Sequence, residues 1–162
     1  MISLQKFLPE DFARLISWVS TEEELVQFAG SNFIFPLTHE QLFKHIADTK
    51  RKVFKVMLDP GKECIGHCEI FLDQIPRLGR ILIAKEENRN KGYGQLILKQ
   101  LMDICFSEAN VSCIDLNVYD WNRRAINCYQ KLGFKINPKI SSSVLVNGNT
   151  WVAVNMLYQK QD

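Results

Sequence analysis

Three groups of residues in this chain have types and spacings that could do chemistry. The first is Arg89-Asn90-Lys91-Gly92-Tyr93-Gly94-Gln95, which follows the apolar run Ile81-Leu82-Ile83-Ala84 and opens a long helical pattern. The first N–H groups of a helix lack internal partners and sit at its positive end, so they suit a phosphate. Glycines at 92 and 94 let the backbone approach an anion, while Arg89 and Lys91 add charge. A P-loop is excluded, because Gln95 and Leu96 stand where Lys and Ser or Thr are required. The dinucleotide fingerprint is excluded because position 97 is Ile rather than Gly. The second group is Asn117 near the end of a strand, Asn122 at a helix N-cap, and Tyr129 on the apolar face made by Ala125, Ile126 and Leu132. The third is His67 with Glu69, which alternate onto one face of a strand. Cys64-x-x-x-Cys68 beside His67 lacks zinc-finger spacing and a second half, so these read as packing cysteines with no metal.

The elements that must position these groups follow from periodicity. Ile2 to Phe7 predicts a strand, and Pro9-Glu10-Asp11 a helix start, with Phe12, Leu15, Ile16 and Val19 as its apolar stripe. Thr21-Glu22-Glu23-Glu24 and Thr38-His39-Glu40-Gln41 both fit the capping box and predict two further helices, with Gln27 to Pro36 a structured loop between them. Val53 to Leu58 and Cys64 to Phe71 form a hairpin about Asp59-Pro60-Gly61-Lys62. Gly79 to Ala84 is a strand apolar on both faces, as in the middle of a covered sheet. Helices are expected over Gly94 to Ala109 and Asn122 to Leu132, a strand over Ile114 to Val118, and a hairpin about Asn147-Gly148. The order predicts one α/β domain over 1–162, a mixed sheet with flanking helices and no internal repeat.

Composition bounds the partners. At 162 residues with 46% hydrophobic and 23% charged residues, the chain is long enough for one core and too apolar for disorder. Twenty Lys+Arg against eighteen Asp+Glu leave +2, with no basic run beyond Lys50-Arg51-Lys52, so no nucleic acid is expected. The same charge offers no evident trap for a polycation. Five cysteines without a C-x-x-C pair, and an opening Met1 to Gln5 unlike a signal sequence, predict reduced thiols in a cytoplasmic protein. No apolar stretch approaches the ~20 residues a membrane span needs.

The pair R-x-x-G-x-G (Arg89 to Gly94) and N-x-x-A-I-x-x-Y-x-K-x-G-F (Asn122 to Phe134) resembles the GNAT superfamily of acetyl-CoA-dependent N-acyltransferases. The likeness is strong over Cys64 to Phe134. The opening, through Leu4, Pro9-Glu10-Asp11, Trp18, Phe28-Ala29-Gly30 and Pro36-Leu37-Thr38, resembles the branch of ribosomal-protein and small-amine acetyltransferases. The resemblance implies a twisted, mostly antiparallel sheet splayed between strands four and five, with acetyl-CoA as cosubstrate. It implies that the amides of Arg89, Asn90, Lys91, Gly92, Tyr93, Gly94 and Gln95 cradle the pyrophosphate. Leu82, Ile83 and Ala84 would hydrogen-bond the pantetheine arm, and an N–H near Ile83 would polarise the thioester carbonyl. Asn117 and Asn122 would border the cofactor, and Tyr129 matches the general acid that protonates the departing thiolate.

The base is open at this level. Asn117 stands where some relatives carry a glutamate, and an amide cannot accept the proton. Glu69, His67, Asp120 through water, or solvent alone are the candidates. Phe28, Phe33 and Phe35 either wall the acceptor site or pack a core. The expected activity is direct attack of a primary amine on the thioester in a ternary complex, the acceptor being a small molecule or a protein N-terminus and the enzyme monomer or homodimer. A different class of reading, a non-catalytic acyl-CoA-binding or sensing module, rests on Asn117.

Overall fold

The computed structural model describes residues 1–60, 62–108 and 110–161; Gly61 of the expected turn and Ala109 at the end of the expected helix lie outside them. In chain order the elements are β1 (Ile2–Lys6), α1 (Phe12–Ser17), α2 (Glu22–Ala29), α3 (His39–Ile46), β2 (Arg51–Leu58), β3 (Glu63–Phe71), β4 (Arg77–Ile83), α4 (Tyr93–Glu108), β5 (Cys113–Tyr119), α5 (Arg123–Lys131), β6 (Lys135–Val146) and β7 (Asn149–Gln159). The seven strands form one sheet in the order β1-β2-β3-β4-β5-β7-β6. Every neighbouring pair is antiparallel except β4 and β5, which run parallel and pair only at Arg77 with Asp115 and Leu78 with Leu116. Beyond Leu78 the two strands diverge, and the sheet is split there.

Alternation along β3 shows how both faces are used. Cys68 and Ile70 join the cluster that holds Ile97, Leu98 and Leu101 of α4, Ile114 of β5 and Ile126 of α5. His67 and Glu69 point the other way, toward His45 of α3, on the side where Phe12, Leu15, Leu25, Phe28 and Leu42 form a second cluster. Each fully buried Leu, Ile or Phe contributes roughly 1.5–3 kcal/mol, so these two clusters fix the helices on the sheet.

Local chemistry departs from expectation in four places. Thr21 caps α2 as a full box, its side chain accepting from Glu24 N while Glu24 accepts from Thr21 N. Thr38 accepts from Gln41 N, but the Gln41 side chain turns away: it donates to the Ile34 and Pro36 carbonyls and accepts from Ile34 N. The folded-back loop has carbonyls to satisfy, and they win the amide. Gln27, Phe28 and Ala29, expected in that loop, complete α2, which Gly30 ends. β4 starts at Arg77 and its residues 79–83 are only half-buried, because the diverging β5 leaves one edge uncovered. β6 and β7 are longer than the Asn147-Gly148 signal implied; Pro138 hid β6, and is tolerated because β6 is the edge strand and slips register between Asn137 and Ser141.

Candidate active site

The split between β4 and β5 opens a cleft of about 1270 Å³ bordered by both strands, α2, the start of α4, α5 and the β6–β7 hairpin. Of the residues expected to meet the cofactor, Leu82, Ile83, Ala84, Arg89, Asn90, Gly92, Tyr93, Gly94, Gln95, Asn117 and Asn122 border it, and so does Tyr129. Lys91 does not: it is exposed and its side chain adds nothing to the wall.

Backbone bonding refines the expected amide cradle. Arg89 N donates to Glu86 O at 2.9 Å and Gln95 N to Gly92 O at 3.1 Å, so neither is available to a ligand. The amides of Asn90, Lys91, Gly92, Tyr93 and Gly94 have no partner among the described residues. Asn90 and Gly92 both adopt left-handed φ, at 63° and 80°, and no neighbouring atom lies within 4 Å of where a Gly92 Cβ would stand. That curl gathers successive N–H groups at the head of α4, a concavity suited to phosphate oxygens.

On β4, Ala84 N donates to Ile65 O at 2.9 Å, so this amide is not open to a ligand. The alternation of an antiparallel ladder then sends Ile83 away from β3 toward the split, and Leu82 back to β3. Ile83 O indeed accepts from Arg89 Nε at 3.4 Å. Of the three residues expected to meet the pantetheine arm, Ile83 is the one whose amide the split exposes. Gly66 of β3 holds this geometry, since a Cβ there would lie 2.3 Å from Leu82 O.

Tyr129 is half-buried on α5, edge-on to Phe134 at 6.3 Å, and its hydroxyl has no hydrogen-bond partner among the described residues. Burial pushes its phenol well above the usual value, and Cys128, once ionised at high pH, would add to that. Asn122 caps α5 by accepting from Ala125 N at 3.2 Å. Cys128 also borders the cleft, and burial raises its thiol, with Lys131 and Arg124 opposing only in part.

Glu69 is not placed to act as a base. It is 2% exposed and does not border the cleft. Its carboxylate accepts from His45 Nε2 and His67 Nε2 at 2.9 Å and from Arg80 Nη1 at 3.1 Å. Burial alone would raise it, but the two histidine bonds and the charges of His67 and Arg80 hold it far below the usual carboxylate range. His67 is buried between Phe7 and Phe28, and Asp120 is exposed away from the cleft wall. The aromatic trio divides: Phe28 borders the cleft, while Phe33 and Phe35 line a separate hollow of about 300 Å³ under the β6–β7 hairpin.

The structure adds residues that were not singled out. Arg77 of β4 makes a bidentate pair with Asp115 of β5, and Asn155 of β7 donates to Asp115 and to Asn117 Oδ1. Arg80 takes φ of 47° at a register slip opposite His67–Glu69. Polar residues inside apolar strands, Asp115 in Cys113–Tyr119 and Asn155 in Val152–Met156, were the available signal.

The sequence matches the family described as acetyltransferase (GNAT) over residues 14–134. A spermidine N(1)-acetyltransferase of Escherichia coli is 30% identical over 121 residues, 73% of this chain and 64% of that protein. An L-amino acid N-acetyltransferase of the same organism is 27% identical over 90 residues, 53% of this chain and 56% of that protein. The matched region therefore spans roughly 56–64% of the length of these relatives. The crystal structure of a Vibrio cholerae spermidine N-acetyltransferase in complex with CoA and spermine superposes with a TM-score of 0.80, at 21% identity, covering 98% of this chain and 95% of that one. The fold, the split sheet and the family match agree: the chain belongs to the acetyltransferase (GNAT) family.

Proposed function

We propose that this protein transfers an acetyl group from acetyl-CoA to a small primary amine, by direct attack of the amine within a ternary complex. The observation that carries this reading is the β4–β5 cleft with the unpartnered amides of Asn90 to Gly94 at one end and the unpartnered Tyr129 hydroxyl on its wall. The relatives named above act on small amines, which supports the acceptor class.

Acetyl-CoA supplies an activated acyl group on a thiol leaving group. The N–H groups of Asn90 to Gly94 receive its pyrophosphate, with Arg89 beside them. The Ile83 N–H hydrogen-bonds the acyl oxygen and stabilises the negative charge that grows there during attack. Tyr129 donates its proton to the departing sulfur. A phenol held above its usual pKa stays protonated through neutral pH, and the same dry surroundings disfavour a bare thiolate, so donor and acceptor remain matched. With Glu69 committed to its ion cluster, the amine loses its proton to solvent before it attacks.

The test is thiol release from acetyl-CoA across polyamines, aminoglycosides, amino sugars, amino acids and N-terminal peptides, with product masses confirmed. An acetylated amine from one class is expected. Acetyl-CoA binding by calorimetry, with no acetylated product across the panel, would overturn the catalytic reading in favour of a binding module.

A further inference from the structure

The acceptor end of the cleft is built for a partner that brings its own negative charge. Among the described residues that border the cleft, Glu24 is the only carboxylate. Its Oε2 accepts from Ser20 N, Ser20 Oγ and Thr21 N at 2.7, 2.9 and 3.2 Å, which ties it to the start of α2 and leaves one charge, and one oxygen free among the described residues, facing outward. Against that single carboxylate, the described residues of the wall include Arg77, Arg80, Arg89, Arg124 and Lys131, a poor match for an acceptor with several ammonium groups.

Two donors stand at the floor of the split instead, each aimed by a partner beneath it. Arg77 gives Nε to Asp115 Oδ1 and Nη2 to Asp115 Oδ2, at 2.9 and 2.7 Å. That fixes the guanidinium plane and leaves Nη1 and the second Nη2 hydrogen unused by Asp115, on a side chain still 43% exposed. Asn117 lies two residues beyond Asp115, on the same face of β5, with Asn155 directly across on β7. The buried Asn155 Nδ2 donates to Asn117 Oδ1 at 3.0 Å, which uses the Asn117 acceptor and turns its NH₂ outward. Between them Gly79 leaves open space, with no atom within 4 Å of where its Cβ would be. A carboxylate takes donors from a guanidinium and an amide NH₂ together, and charge-assisted bonds of this kind are the strong ones.

The geometry points to an acceptor that carries a carboxylate beside its amine, as an α-amino acid does, held by Arg77 and Asn117, with Asp115 and Asn155 positioning those two donors. The inference rests on the proposed acetyl transfer and narrows its substrate.

It is tested by measuring kcat/KM with acetyl-CoA for the L-amino acids, for the α-amide of the best of them, and for spermidine, in the native protein and in Asn117→Asp. The expected result is that the acid exceeds its amide at least tenfold. The amide has the less basic amine, so at neutral pH more of it is unprotonated, which outweighs its slightly weaker nucleophilicity; a preference for the acid therefore cannot come from the supply of free amine. Asn117→Asp keeps the bond from Asn155 but replaces the NH₂ with a negative oxygen. The ratio of acid to spermidine turnover should fall at least tenfold in it. Equal rates for acid and amide, or a preference for spermidine in the native protein, overturn the inference while leaving acetyl transfer standing. No product from any amine, with acetyl-CoA bound, overturns both. Should Asn117→Asp fail to fold, the comparison of acid with amide in the native protein decides alone.

Discussion

At the scale of single residues, the proposed chemistry divides the cleft's reactive groups sharply. If Tyr129 donates the proton to sulfur, Tyr129→Phe removes one hydroxyl that no other described residue bonds. Acid–base groups of this kind are worth roughly 10²–10⁴-fold, so turnover should fall by that factor while acetyl-CoA affinity, measured by calorimetry, stays within about threefold. The raised phenol also means that the native pH–rate profile should carry no falling limb from Tyr129 below about pH 10, its ordinary pKa. Cys128 borders the same cleft and is the obvious rival as a covalent nucleophile. Burial holds its thiol protonated, and the thiolate is the form that attacks. Cys128→Ala should therefore keep most of its turnover, and no acetylated enzyme should be found by intact mass; an acetyl adduct on the native chain that disappears in the variant would replace direct attack with a two-step path.

At the scale of elements, the polar cluster of β3, β4 and α3 is structural. Glu69 of β3 holds His45 of α3 and Arg80 of β4, and Arg80 sits at the slip in register between β3 and β4. Glu69→Gln leaves the buried Arg80 guanidinium without its anion, a change that costs about 3–5 kcal/mol when one member of a buried pair is removed. A group whose folded pKa is depressed stabilises the fold above its unfolded value, about 4.3 for a glutamate, and that contribution is lost as pH falls toward the folded value. The native protein should accordingly lose stability below about pH 4 and the variant should show a flatter acid limb, by denaturant melts across pH. The alkaline rise of the rate should keep its midpoint in the variant, because solvent rather than Glu69 takes the proton. A midpoint that moves would return Glu69 to the role of base. The sequence alone placed His67 and Glu69 on one face correctly but could not show that α3 would arrive with His45 to close over them. That is a tertiary event with no local signal.

For the molecule as a whole, most of the layout was legible. Caps, turns and periodicity are local, so the strand and helix order, the long α4 and the Asn147-Gly148 turn followed from neighbouring residues, while the split was implied by the family resemblance that the paired motifs carry. What was not legible depends on pairing across distance: the loss of the Ala84 amide to Ile65, the outward turn of Lys91, and the Arg77–Asp115–Asn155–Asn117 chain across three strands. The split itself has a mechanical consequence. β6 and β7 pair along nine positions, yet β4 and β5 are joined at two. The sheet is thus two well-knit halves across a thin seam, bridged by the cluster in which Ile97, Leu98 and Leu101 of α4 meet Ile70 and Leu78 on one side and Ile114 and Leu116 on the other. A ligand lying in the seam supplies what the missing ladder does not. At a hundred times its dissociation constant, acetyl-CoA should stabilise the native state by about 2.7 kcal/mol, which for a chain of this size moves Tm by roughly 5–11 °C. Amide exchange should slow most in residues 79–84 of β4 and 90–96 at the head of α4, with little change in β6 and β7. Uniform protection across all seven strands would mean that the halves already move as one, and that the seam is no weaker than the rest of the sheet.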